Sequence, residues 1–120
     1  MKINFISYGY KYNHQVKTDI LLDARCLINP YYQEELKNLT GLDSRVSSYI
    51  LLDSYTMEYI NSIILYLDTY IKRISNKRDE ITVSVVCTGG KHRSVFLANY
   101  LFKHYQKSYE CLITHIDINE

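Results

Sequence analysis

The chain is expected to be an α/β protein, with a mixed or mostly parallel sheet of about four strands flanked by helices. Short apolar runs rich in isoleucine and valine alternate with longer segments whose apolar residues recur every three or four positions. A length of 120 residues suits one domain, expected over residues 1–120. No linker, repeat or low-complexity tract divides it, and 47% hydrophobic with 22% charged residues is ordinary globular composition.

Residues 2–7 read as a strand, followed by a turn at Tyr8-Gly9-Tyr10-Lys11-Tyr12-Asn13, where glycine and asparagine break the pattern. Thr18–Ala24, with Ile20, Leu21 and Leu22 unbroken, reads as a buried strand that carries Asp23 and Arg25 to its carboxyl edge. Asn29-Pro30 interrupts the chain, and Tyr32–Leu39 is expected to form a short helix ending before Gly41. Asp43 or Ser44 would cap another short helix through Leu51. The longest helix is expected from Ser54 to about Asn76, because Met57, Ile60, Ile64, Leu67, Ile71 and Ile74 form one apolar stripe. Glu80–Val86 reads as the third strand, a helix continues to about Gln106, and a last strand runs from about Tyr109 to Ile118. On that strand His115 and Asp117 would share a face.

Composition narrows the function. Fourteen basic against thirteen acidic side chains leave almost no net charge, which argues against binding nucleic acid through bulk electrostatics. Lys72, Arg73, Lys77 and Arg78 are the best local basic patch, and a helix carboxyl terminus favours cations anyway. No apolar run reaches the length of a membrane span, and the amino terminus does not read as a signal peptide. Three cysteines without paired metal-ligand spacing suggest a reducing cytoplasm; no metal or cofactor is expected.

The chemistry concentrates in Cys87-Thr88-Gly89-Gly90-Lys91-His92-Arg93-Ser94, between a strand and a helix. Two glycines let the backbone turn and present N–H groups, and the helix amino terminus adds partial positive charge. Basic residues at that end of a helix oppose its dipole, so Lys91, His92 and Arg93 in succession point to a bound anion. Arg93 offers a planar fork for two oxyanion atoms and Ser94 a hydroxyl, which fits phosphate. The spacing of a Walker A loop is absent. The stretch also fits Cys-x5-Arg, the loop of cysteine-dependent phosphatases. That alternative makes Cys87 the nucleophile and Arg93 the clamp, and requires a proton donor such as Asp23 or Asp117, which nothing in the spacing selects. Asp23 and Arg25, two apart on an extended strand, face one way and either pair with each other or meet a ligand. Tyr8, Tyr10 and Tyr12 are expected to pack more than to stack on a ligand.

Four segments in order carry a family resemblance: Ser7–Lys11, Asp23–Tyr32, Glu35–Asp43 and Cys87–Val95. On them the chain resembles the C-terminal domain of the RapZ/YvcJ family of RNase adapter proteins. The resemblance implies an α/β domain that recognises an amino-sugar phosphate such as glucosamine-6-phosphate, self-associates as a homodimer or tetramer, and serves RNA regulation. By motif position it implies that Thr88, Gly89, Gly90, His92 and Arg93 hold the phosphate, while Asp23, Arg25 and Asn29 line the rest of the pocket; Lys91, Ser94 and Tyr31 are further candidate ligand contacts. Tyr31 stands where some members have histidine. The family's N-terminal Walker-motif domain is expected to be missing, so that this domain stands alone. The ending His115–Glu120 lacks the basic tail of RNA-binding members, which leaves a phosphorylated small molecule as the expected partner and RNA as the weaker one.

Overall fold

The computed structural model describes residues 1–120 as one α/β unit. Its elements are β1 (Lys2–Gly9), β2 (Ile20–Asp23), α1 (Ser44–Leu52), α2 (Ser54–Ile74), β3 (Glu80–Cys87), α3 (Arg93–Tyr105) and β4 (Glu110–His115). Single 3-10 turns occupy Tyr10–Tyr12 and Pro30–Tyr32. The sheet order is β2-β3-β1-β4, and every pairing is parallel. No helix is long and apolar enough to cross a membrane.

Parallel neighbours need crossovers, and their common right hand assigns the faces. The connections β2 to β3 and β3 to β4 run in one direction across the sheet, so α1, α2 and α3 share a face. Phe5 stacks on Tyr105 there, with ring centres 6.2 Å apart. The connection β1 to β2 runs the other way and holds no helix beyond the turn at Tyr10–Tyr12. Residues 13–19 return as an extended strap on the opposite face, where His14 meets the Tyr8 ring edge-on. Thr18 Oγ1 and the Asp19 amide fasten the strap's end to the Thr82 carbonyl.

The core lies between the sheet and the helices. Ile3, Phe5, Ile81, Val83 and Val85 are buried from β1 and β3, with Leu97 and Leu101 from α3. The buried stripe of α2 consists of Thr56, Ile60, Ile63, Leu67 and Ile71. It is rotated slightly from the expected one, so Met57, Ile64 and Ile74 sit at its partly buried margins. Asp43 and Asp53 cap α1 and α2 by accepting from the amides of Arg45 and Tyr55.

Two expected elements differ. Residues 32–39 form no helix. Only Lys37 makes an α-helical amide bond, to the Gln33 carbonyl; Leu36 and Leu39 make tighter turn bonds, and the segment proceeds as turns. Its end is drawn instead to the loop after β3, where the Gly41 amide donates to the Lys91 carbonyl at 2.8 Å. The last strand stops at His115, because residues 116–119 turn back towards β1. Asp117 therefore shares no strand face with His115. His115 contacts Ser7 Oγ through Nδ1 at 2.5 Å, whereas Asp117 accepts the Gly9 amide at 2.8 Å.

Candidate functional site

β1 and β3 run in register, with Gly9 beside Cys87, so both strands end at one level and release their loops together. The loop 88–92 turns sharply at Gly90, whose φ of +76° favours glycine. A side chain at Gly9 would press on this turn, its Cβ 2.6 Å from the Gly89 carbonyl carbon. Glycine at both places lets the two backbones touch. Asp117 locks the contact from below, holding the Gly9 amide and His14 Nε2 at 2.8 Å each.

The loop's amides divide into two sets. Gly90 N–H donates to Cys87 Sγ at 3.3 Å, and the Cys87 thiol donates to Ser94 Oγ at 3.1 Å. The amides of Thr88, Gly89, Lys91 and His92 donate to no group of the protein. Directly behind them α3 begins, with no side-chain cap at His92 and no acidic residue in its first turn. A helix start without cap or acid, preceded by unpaired amides, has the local chemistry that favours an anion.

These groups open on a cavity of about 510 Å³. Cys87, Thr88, Gly89, Lys91, His92 and Arg93 form its floor. The turns after β1 contribute Lys11 and Tyr12, the segment after β2 contributes Asn29, Tyr31, Tyr32, Lys37 and Asn38, and Glu120 completes the wall. Arg93 is 8% exposed and anchored by Nη1, which donates to the carbonyls of Arg25 at 2.8 Å and Leu27 at 3.4 Å. Asn29 is occupied in its own turn, its Oδ1 accepting from the Tyr31 amide. His92 is also buried, and its Nε2 has no hydrogen-bond partner. Burial pushes this imidazole below its ordinary value; the carbonyls of Leu39 and Lys37 oppose the shift, and the charges of Lys91 and Arg93 add to it.

Four of the residues expected at the site lie off the cavity surface. Gly90 is buried as the hinge of the loop, and Ser94 is buried against Cys87. Asp23 and Arg25 pair with each other, Nη2 to Oδ2 at 2.8 Å, beside the cavity. Those hydrogen bonds from Arg25 hold the Asp23 carboxyl below its usual range. Arg25 also lies over the Tyr10 ring, 4.4 Å from its centre, and its carbonyl anchors Arg93. Sequence reasoning did not assign Lys11, Tyr12, Tyr32, Lys37, Asn38 or Glu120 to the cavity. Lys11 and Tyr12 carried a usable signal, since both lie in the same glycine-containing turn that meets the loop. The cysteines Cys26, Cys87 and Cys111 are all free thiols.

The model of the RapZ C-terminal domain matches residues 1–119. A nucleotide-binding protein of Shouchella clausii is 35% identical over 119 residues, covering 98% of this chain and 40% of that protein. One from Bacillus cytotoxicus is 38% identical over 122 residues, covering 99% and 41%. The chain thus spans about 40% of the length of these curated relatives. With a family model matched over nearly its whole length, the chain belongs to the RapZ C-terminal domain family.

Proposed function

We propose that the domain binds a phosphorylated small molecule, with the phosphoryl group seated on the loop 88–92 and the start of α3. One observation carries this reading: four unpaired amides, an uncapped helix start and Arg93 meet on the floor of one cavity. The chemical classes that fit are an amino-sugar phosphate, such as glucosamine-6-phosphate, or a nucleotide-like ligand. The relatives' shared description as nucleotide-binding proteins is in keeping with the second, although it describes chains more than twice as long. In this reading the domain works in the cytoplasm as a metabolite-responsive regulator, alone or as a homo-oligomer. RNA is the less favoured partner, because Arg78 of the basic patch is tied to Asp19 at 2.6 Å.

Calorimetry with glucosamine-6-phosphate, glucose-6-phosphate and mononucleotides tests the proposal against two variants. Arg93→Ala removes the guanidinium. Gly89→Leu fills the cavity from a position where an added Cβ meets nothing within 4 Å, so folding is spared. At least one ligand is expected to bind, with both variants weakening it by about tenfold or more. Equal binding by wild type and Gly89→Leu would remove the loop from the account.

A second reading has its own observation. Cys87 Sγ accepts from Gly90 N–H and its thiol donates to Ser94 Oγ, contacts in keeping with a nucleophile in a Cys-x5-Arg loop. It predicts hydrolysis of an aryl phosphate that disappears in Cys87→Ser. The thiol is only 3% exposed, and Asp23 and Asp117, the expected proton donors, are engaged elsewhere. Binding without turnover is therefore the preferred reading.

A further inference from the structure

The cavity holds more positive charge than one phosphoryl group needs. Lys11, Lys37, Lys91 and Arg93 line it against one carboxylate, Glu120, a surplus of three positive charges. The ion pairs of the chain are His14–Asp117, Arg25–Asp23, Arg45–Asp43 and Arg78–Asp19. None of them uses a cation of the cavity. Elsewhere three arginines have found an aspartate; none of the chain's nine lysines is in an ion pair, and three of them gather here with Arg93 around one hollow.

These cations are also positioned. Lys11 belongs to the turn whose amide donates to the Thr88 carbonyl at 3.2 Å. Lys37 belongs to the segment whose carbonyl lies beside the His92 ring. Each ammonium sits over a tyrosine, Lys11 at 5.1 Å from the Tyr12 ring centre and Lys37 at 4.9 Å from that of Tyr31. Those contacts restrict long side chains that would otherwise spread into solvent. Lys91 and Arg93 arise from the loop itself, so the cations form an inner pair on the floor and an outer pair on two walls.

We infer that the site takes a ligand with two phosphoryl groups, the second held by Lys11 and Lys37. This rests on the phosphate-binding reading above and narrows its ligand class. A phosphate monoester brings about two negative charges and would leave one positive charge of the surplus uncompensated, whereas a terminal diphosphate brings about one more and matches the surplus. The cavity, at about 510 Å³, is far larger than a single phosphate requires. Tyr31 and Tyr32 stand at its rim, 51% and 80% exposed, as surfaces for a ring carried beyond the second phosphoryl group.

Calorimetry at low ionic strength with inorganic phosphate, inorganic pyrophosphate, AMP and ADP tests the inference. Pyrophosphate and ADP are expected to bind about tenfold or more tightly than phosphate and AMP. The double variant Lys11→Met, Lys37→Met keeps the apolar stems and is expected to erase that preference while phosphate and AMP bind as before. Tighter ADP than pyrophosphate would assign the rim to a nucleoside; equal affinities would assign recognition to the diphosphate alone, and both outcomes support the second phosphoryl subsite. Equal binding of phosphate and pyrophosphate by wild type overturns the inference and leaves the parent reading standing. A preference that survives in the double variant overturns it as well. Binding of none of the four overturns the inference, and the parent reading is then decided by the sugar phosphates alone.

Discussion

Gly89 and Gly90 are neighbours with opposite duties, and substitution separates them. Gly90 combines φ of +76° with a hypothetical Cβ 2.6 Å from the Gly9 nitrogen, so Gly90→Ala strains the loop and collides with backbone. It is expected to cost about 2 kcal/mol or more in urea denaturation. Gly89 faces open space, and Gly89→Leu is expected to change stability by less than about 0.5 kcal/mol while removing ligand binding. A stable Gly90→Ala protein would show that the turn relaxes freely. That Thr88, Gly89, Lys91, His92 and Arg93 line one hollow could be expected from sequence, because paired glycines followed by cations that oppose a helix dipole point to an anion. Asp23 and Arg25 were found at the correct strand end, but spacing alone left an ion pair and a ligand contact equally open. The structure has them paired, 2.8 Å apart. Lys37 and Glu120 could not be found, since each reaches the cavity only through a turn that tertiary contacts shape.

The elements were legible in proportion to their local signals. α2 followed from its periodicity and β3 from its apolar alternation, and both lie within two residues of expectation. The segment 32–39 misled because its composition suits a helix, while it folds as successive turns and Gly41 just beyond it is tied to the loop after β3. The end of β4 misled because alternation continues through His115 and Asp117, whereas the Gly9 amide and His14 compete for Asp117 from outside the strand. Asp117 is 2% exposed, so this latch is a buried polar junction joining β1, the strap and the C-terminal turn. Asp117→Ala leaves the Gly9 amide without its acceptor directly beneath the loop. We expect a loss of about 1–3 kcal/mol in stability, accompanied by weaker ligand binding. A variant as stable as wild type would remove the latch from the account of how the loop is held.

The whole molecule sets its pH response and its charge balance. Burial lowers the values of both His92 and His115, so the unfolded chain binds more protons than the folded one between their depressed values and about 6.5. Their contribution is complete above about pH 6.5 and is lost as pH falls through the folded-state values. Asp19, Asp23 and Asp43 are held low chiefly by hydrogen bonds from Arg78, Arg25 and Arg45, and their contributions disappear only below the ordinary carboxylate range. The urea midpoint is therefore expected to fall between pH 7.5 and 5.5, and to flatten when His92 and His115 are both replaced by glutamine; an unchanged slope in that variant would assign the effect elsewhere. The same parallel order brings the carboxyl ends of the central strands β1 and β3 to one level, and with them the cavity floor after β3 and the wall after β1. The α/β class and sheet size were readable from alternation, but β2-β3-β1-β4 depends on pairings between strands up to about a hundred residues apart, for which the chain carries no local mark. The most direct test of the phosphate seat is amide NMR during titration with inorganic phosphate. Saturable shifts are expected at Thr88, Gly89, Lys91 and His92, with smaller ones at Gly90, whose N–H is already given to Cys87. Shifts scattered over surface lysines, or none at the loop, would contradict the claim that these amides are held for an anion.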